Sequence, residues 1–266
     1  MKSFKMKALA LATLGLGGLV MAGSAFAACP TGPTIAQGGA WSGQSLDSKG
    51  STLTIVGGSP GQGYDGTSCK LQSSLANNGA ATAAVRDDSP SAPGEARYRA
   101  QFIFDPTNLS GANGTNQAVI FLANAQNSFS GILPMLEIDF AGKGGGSTTS
   151  GKRIFIVAAC ATGGTCGVPV NLPVQNGPNR IEFDLVTGAD GTGNLRYWVN
   201  DAATTGLSDG SPTGTITITG GNAGWVGVKT AFLGMSSPST AYRSVNTNIN
   251  AWFDEFDSRR QTFIGH

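Results

Sequence analysis

Histidine is nearly absent from this sequence. The chain has one, His266, its last residue. Hydrolytic sites of the Ser-His-Asp or Cys-His kind need an imidazole held against the nucleophile, and a frayed terminal residue does not provide one. The H-E-x-x-H arrangement of zinc hydrolases is missing too. Charge is also scarce: charged residues are 12% of the chain, in no run, and the net charge is +1. Apart from Arg259-Arg260 there is no basic patch, so nucleic acid is excluded as a partner class. Beyond residue 27 no stretch is apolar enough to cross a bilayer, which takes about 20 residues. None there shows a sustained helical period either.

Cysteine is limited to Cys29, Cys69, Cys160 and Cys166. Four cysteines permit three pairings. Cys160 and Cys166 enclose Ala-Thr-Gly-Gly-Thr, a Gly-containing connection after an apolar strand, so a disulfide there staples a hairpin or its loop. Cys29 is then left to pair with Cys69. The spacing has no C-x-x-C pair and there is no interior histidine, which argues against a zinc site.

What is present starts with an export signal. Lys2, Lys5 and Lys7 precede an apolar run from Ala8 to Met21, and Ala25-Phe26-Ala27 offers small residues at the two positions a signal peptidase reads. Cleavage after Ala27 is expected, leaving residues 28–266 as one domain of 266 − 27 = 239 residues with net charge 1 − 3 = −2. The destination is outside the cytoplasm, in the periplasm or the medium. The rival is lipidation. Phe26-Ala27-Ala28-Cys29 resembles a lipobox, but Leu is usual where Phe26 stands, and a lipidated Cys29 would leave an odd cysteine.

Glycine numbers 40, and Ser, Thr and Asn are abundant. Between these turn-forming clusters lie segments rich in Val, Ile, Phe, Tyr and Thr, the pattern of an all-β domain. Strands are predicted at Leu53–Val56, Ala96–Phe104, Ala118–Ala123, Leu133–Phe140, Arg153–Ala159, Asn179–Val186, Asn194–Val199, Thr215–Thr219, Gly224–Leu233 and Ala251–Asp257. Several alternate. Tyr98, Ala100, Phe102 and Phe104 oppose Arg97, Arg99 and Gln101. Leu136, Ile138 and Phe140 oppose Glu137 and Asp139. Ile181, Phe183 and Leu185 oppose Glu182 and Asp184, and Leu195, Tyr197 and Val199 oppose Arg196 and Trp198. Side chains alternate between faces of a strand, so these strands have one core face and one wet face. Ile154-Phe155-Ile156-Val157 is apolar on both sides, which predicts a central strand covered twice. About ten strands and no helices predict a two-sheet antiparallel sandwich of jelly-roll type.

Tyr98–Pro106 (YRAQFIFDP), Asn194–Asn200 (NLRYWVN) and Trp252–Asp257 (WFDEFD) resemble the concanavalin A-like lectin/glucanase superfamily. The close of the chain after Asp257 is similar to that of a group of secreted bacterial proteins. The resemblance spans about two-thirds of the chain after Ala27 and implies the concanavalin-like fold. Leu136-Glu137-Ile138-Asp139-Phe140 resembles the front of the E-x-D-x-x-E strand of laminarinase-type glucanases, in which two glutamates flank the scissile bond. A retaining pair needs its carboxyls about 5–5.5 Å apart. Here Gly142 stands where the second glutamate belongs, so the acid/base is missing. Jelly-roll alginate lyases typically use a groove His with a Tyr, and that His is absent.

If the polar-face strands lie side by side, Arg97, Arg99, Gln101, Glu137, Asp139, Glu182, Asp184, Arg196 and Trp198 share one sheet surface. Planar hydrogen-bonding groups beside an aromatic ring suit a sugar, with Trp198 as the ring and Trp225 and Tyr242 flanking it; the alternative is that Trp198 packs under a loop. Asp190-Gly191-Thr192-Gly193-Asn194 and Asn200-Asp201 offer oxygens for a structural calcium but read more simply as turns; no cofactor is expected. The function expected is a secreted, non-catalytic protein that binds a glycan or a cell-surface component. The alternatives are a carbohydrate-active enzyme working through Glu137 and Asp139, and a structural matrix protein.

Overall fold

The computed structural model describes residues 29–58, 62–64, 66–90, 94–110, 117–127, 131–141, 151–160, 165–188, 193–218, 224–246, 250–259 and 261–265. The signal segment, its cleavage site, Asp190–Thr192, Gly142 and His266 lie outside them. The strands are β1 (Gly43–Leu46), β2 (Thr52–Gly57), β3 (Cys69–Ser74), β4 (Thr82–Asp87), β5 (Arg97–Asp105), β6 (Gln117–Asn127) and β7 (Gly131–Ala141). They continue with β8 (Arg153–Ala158), β9 (Val170–Pro173), β10 (Asn179–Val186), β11 (Asn194–Asp201), β12 (Gly214–Thr217), β13 (Trp225–Ser236) and β14 (Asn250–Ser258). A short helix, α1 (Thr240–Val245), is capped by the Ser239 hydroxyl, which accepts from the Tyr242 amide, and Ile35–Gln37 form one 3-10 turn; these correct the expectation of no helix.

Two seven-stranded antiparallel sheets pack face to face. The first runs β1-β4-β13-β6-β7-β8-β9 and the second β12-β11-β10-β5-β14-β3-β2. The alternating strands send their apolar side inward. Phe102 and Phe183 from the second sheet meet Phe121 from the first, with ring centroids 5.5 and 4.9 Å apart, aromatic spacings that add to simple burial. Every predicted strand is present. Four were missed: β1, β3, β4 and β9, four to six residues each with little β-branched or aromatic content. The expectation for Ile154–Val157 is corrected. Ile154 and Ile156 are buried, Phe155 and Val157 only half-buried, and β8 is next to the edge strand β9.

Both expected disulfides are formed, Cys29–Cys69 and Cys160–Cys166, so Cys29 carries no lipid in this structure. Disulfides persist in oxidising compartments, which fits an extracellular or periplasmic protein. Among the described residues no helix is long and apolar enough to cross a membrane.

Candidate functional site

The two outer faces of the sandwich differ in what covers them. On the second sheet, register brings together Arg97, Arg99 and Gln101 of β5, Glu182 and Asp184 of β10, and Arg196 and Trp198 of β11. The expected side-by-side arrangement holds for these seven. It fails for Glu137 and Asp139. They lie on β7 of the first sheet, on the opposite outer surface, with the whole core between.

The seven do not form a wet face. Arg99 is 0% exposed, Glu182 0%, Asp184 1% and Trp198 1%. The chain after β14 lies across them. The Ile264 and Gly265 amides donate to the two Glu182 oxygens at 3.0 and 2.9 Å. With its amide oriented to match, Gln101 donates to the Gly265 carbonyl at 2.9 Å and accepts from Arg180 at 2.6 Å. The Arg99 guanidinium sits 4.7 Å from the ring centroids of both Trp198 and Phe263, and Trp198 donates to the Ser208 carbonyl. Arg99 donates to Glu182 at 2.6 Å and Asp209 at 2.9 Å. Arg97 grips Asp184 through two nitrogens and Arg196 adds a third contact at 2.6 Å. Burial opposes the charge of Asp184, but the bonds from Arg97 and Arg196 outweigh it and hold the carboxyl below the usual aspartate range. A charge network this enclosed costs desolvation, and its hydrogen bonds offset part of that cost, with Arg99 Nη2 left without a hydrogen-bond partner among the described residues. It is scaffold. The flanking rings fail as sugar platforms for the same reason: Trp225 and Tyr242 are each 2% exposed. Trp41, the remaining ring from the N-terminal region, is half-buried against Phe256.

The outer face of the first sheet is built differently. Register shifts interrupt β13 against β6 at three places and β6 against β7 at two; bulges bend a strand and re-aim its side chains. Gly234 has φ +130°, and a Cβ there would lie 2.4 Å from the Ala83 carbonyl oxygen, so glycine lets β13 close onto β4. A depression of about 220 Å³ follows, with Ser45, Thr82 and Ala84 on one side and Leu122, Asn124, Phe232 and Ser236 on the other. Val119 and Leu122 in its wall are the cross-strand partners of Asp139 and Glu137.

Asp139 is 2% exposed while Glu137 is only half-buried. Burial, then the Glu137 charge, then a hydrogen bond to Glu137 push the Asp139 carboxyl up to about 8. Gln117 donates to its Oδ2 at 3.1 Å. Burial and the adjacent Glu137 charge therefore favour the protonated form of Asp139. Their direct neighbours across β6 and β8 are Val119, Leu122, Phe155 and Val157, none of them charged. With Asp139 2% exposed, the pair does not present two accessible carboxylates to flank a glycosidic bond, so the two-carboxylate retaining geometry is not what it provides. Asn200 and Asp201 end β11, and Asp201 accepts from the Ala203 amide in the turn that follows. Among the described residues no group of three or more His, Cys, Asp or Glu could hold a metal ion.

Sequence reasoning found Glu137 and Asp139 but not Asn124, Phe232, Ser45 or Thr82. Asn124 and Phe232 sit at wet-face positions of β6 and β13, where alternation was a usable signal. Ser45 and Thr82 lie on strands with no apolar signal to read.

No family model matches the chain, and no curated protein sequence does. Solved structures match it in shape. An endo-β-1,4-glucuronan lyase from the fungus Trichoderma reesei superposes with TM-score 0.56 at 13% identity, over 82% of this chain and 90% of that one. The cellulose-induced protein Cip1 gives 0.51 at 14% identity, over 85% and 93%. The alginate lyase Aly36B gives 0.51 at 10% identity, over 88% and 94%. The fold is a concanavalin-like jelly roll. At these identities the likeness is one of fold alone. It nevertheless corrects the expectation of a non-catalytic binding protein: the face that expectation relied on is sealed, and two of these three solved structures are polysaccharide lyases.

Proposed function

We propose that the chain is a carbohydrate-active enzyme that cleaves a uronate-containing polysaccharide by elimination on the outer face of the first sheet, with Glu137 as the base. The observation that carries this reading is the half-buried Glu137 carboxylate beside the buried Asp139, one strand from an open depression. Elimination needs one base rather than two carboxyls flanking a bond. Glu137 takes the proton on the carbon next to the uronate carboxylate. The carbon–carbon double bond forms, and the bond to the glycosidic oxygen breaks, that oxygen taking a proton from water. A carboxylate positioned within reach of the substrate proton serves as a general base. Asp139 is a positioning residue, since Glu137 stands between it and solvent. The fold relatives that cleave glucuronan and alginate support the same reaction class.

The test is a screen of glucuronan, alginate and neutral β-glucans. Release of chain ends carrying the ultraviolet absorbance of an unsaturated uronate supports the reading. Reducing ends without that absorbance would show hydrolysis instead.

Export belongs to the same reading: residues 28–266 act as one domain after cleavage behind Ala27. The Lys-rich start, the Ala25-Phe26-Ala27 site and the two disulfides support it. Mass spectrometry of exported protein should find an N-terminus at Ala28, and a chain still carrying Met1 would refute it.

A further inference from the structure

We infer that the depression beside Glu137 is a subsite for one uncharged sugar unit, so that the substrate is a mixed polysaccharide in which a neutral sugar neighbours the uronate. This rests on the proposed elimination for its place in the reaction, but the subsite itself stands on its own geometry. The depression begins at Leu122, the cross-strand partner of Glu137, and neighbouring strands lie about 4.8 Å apart. That is roughly the step from one sugar ring to the next. Its volume of about 220 Å³ is below the roughly 300–1,000 Å³ of pockets that take drug-sized ligands and fits a single ring.

The lining decides the ligand class. Hydroxyls of Ser45, Thr82, Ser236 and Ser237 edge the depression, Phe232 supplies a ring, and no lining residue carries a charge. The nearest cation on its strands is Arg86, the cross-strand partner of Phe232. Its guanidinium donates to Asp88 at 2.8 Å and lies against Gly43, where an added Cβ would be 3.1 Å from Nη2. It is turned toward the sheet edge and already paired. Asn124 completes the wall. Its Oδ1 is enclosed and accepts no hydrogen bond, so turning the amide toward a ligand breaks no bond at that oxygen. An unpartnered buried carbonyl costs free energy that a ligand hydroxyl would recover. A carboxylate placed here would meet hydroxyls and an aromatic ring with no cation in the lining.

The experiment uses the full chain carrying Glu137→Gln, so that nothing is turned over. Binding of glucose, galactose, mannose and xylose is compared with binding of glucuronate by ligand-observed NMR, with and without Ser45→Tyr, which fills the depression from the edge strand β1, and Asn124→Leu. At least one neutral sugar should bind, glucuronate at least tenfold more weakly, and Ser45→Tyr should weaken the neutral sugar at least tenfold. Equal or tighter binding of glucuronate, or binding that both variants leave unchanged, would overturn the inference. Should a variant fail to fold, the wild-type ratio of neutral sugar to glucuronate still decides it. Neutral-sugar binding lost on Ser45→Tyr, in a protein that cleaves no polysaccharide, would uphold the subsite and refute the proposed reaction.

Discussion

Phe263 lies over Trp198 with ring centroids 5.3 Å apart, and the Arg99 guanidinium is 4.7 Å from each ring. A segment distant in sequence thereby turns the polar side of the second sheet into a second, ion-paired interior.

Trp198→Ala should therefore act as a core truncation. Removing a buried Trp costs about 3–5 kcal/mol, read as a lower midpoint in urea unfolding. Phe263→Ala should show a smaller loss in the same direction, since Phe263 is half-buried. An unchanged midpoint for Trp198→Ala would mean the ring is not enclosed.

The Asp184 network gives a pH dependence of definite sign. Its carboxyl is held below the ordinary aspartate value of 3.8, so its stabilisation is present above that value and is lost as pH falls through the depressed folded pKa. Asp184→Asn should be less stable than the parent at neutral pH and should lose less on acidification. Parallel acid-unfolding curves for the two proteins would contradict this.

Asp139 works in the opposite direction. Its folded pKa, raised from 3.8 to about 8, means that its contribution is complete below the ordinary aspartate range and is lost as pH rises through about 8. Asp139→Asn keeps the uncharged shape, so the thermal midpoint of the variant should fall less than that of the parent between pH 4 and 8. A variant that tracks the parent across that range would show that Asp139 is ionised throughout.

The disulfides should contribute unequally. They close separations of 40 and 6 residues, and the chain-entropy relation gives about 4 and about 2 kcal/mol. Cys29→Ala with Cys69→Ala should lower the unfolding midpoint more than Cys160→Ala with Cys166→Ala. The reverse order would point to strain or local unfolding as the controlling factor.

Much of the fold was legible because alternation such as Tyr98-Arg99-Ala100-Gln101 states both the strand and its inner face. Alternation does not state which sheet a strand joins. Glu137 and Glu182 sit in near-identical local patterns, Leu-Glu-Ile-Asp-Phe and Ile-Glu-Phe-Asp-Leu, yet fall on opposite outer surfaces, because sheet membership is set by crossovers between distant strands. Nor does a polar face announce exposure. Arg99 and Trp198 read as wet because the segment that covers them, Phe263–Gly265, is far away in the chain and has no regular pattern. Asn124 and Ser45 became visible as one wall only when β1, β4, β13 and β6 were placed in order.

In the proposed elimination Glu137 is the base and Asp139 positions it. The most direct measurement is the rate of unsaturated-uronate formation on a uronate-containing polysaccharide by the parent, Glu137→Gln and Asp139→Asn, each across a pH range. The account predicts that Glu137→Gln loses at least a thousandfold in rate while remaining folded and able to bind. It also predicts that Asp139→Asn stays active with its pH optimum displaced. A Glu137→Gln protein that cleaves at the parent rate would contradict it.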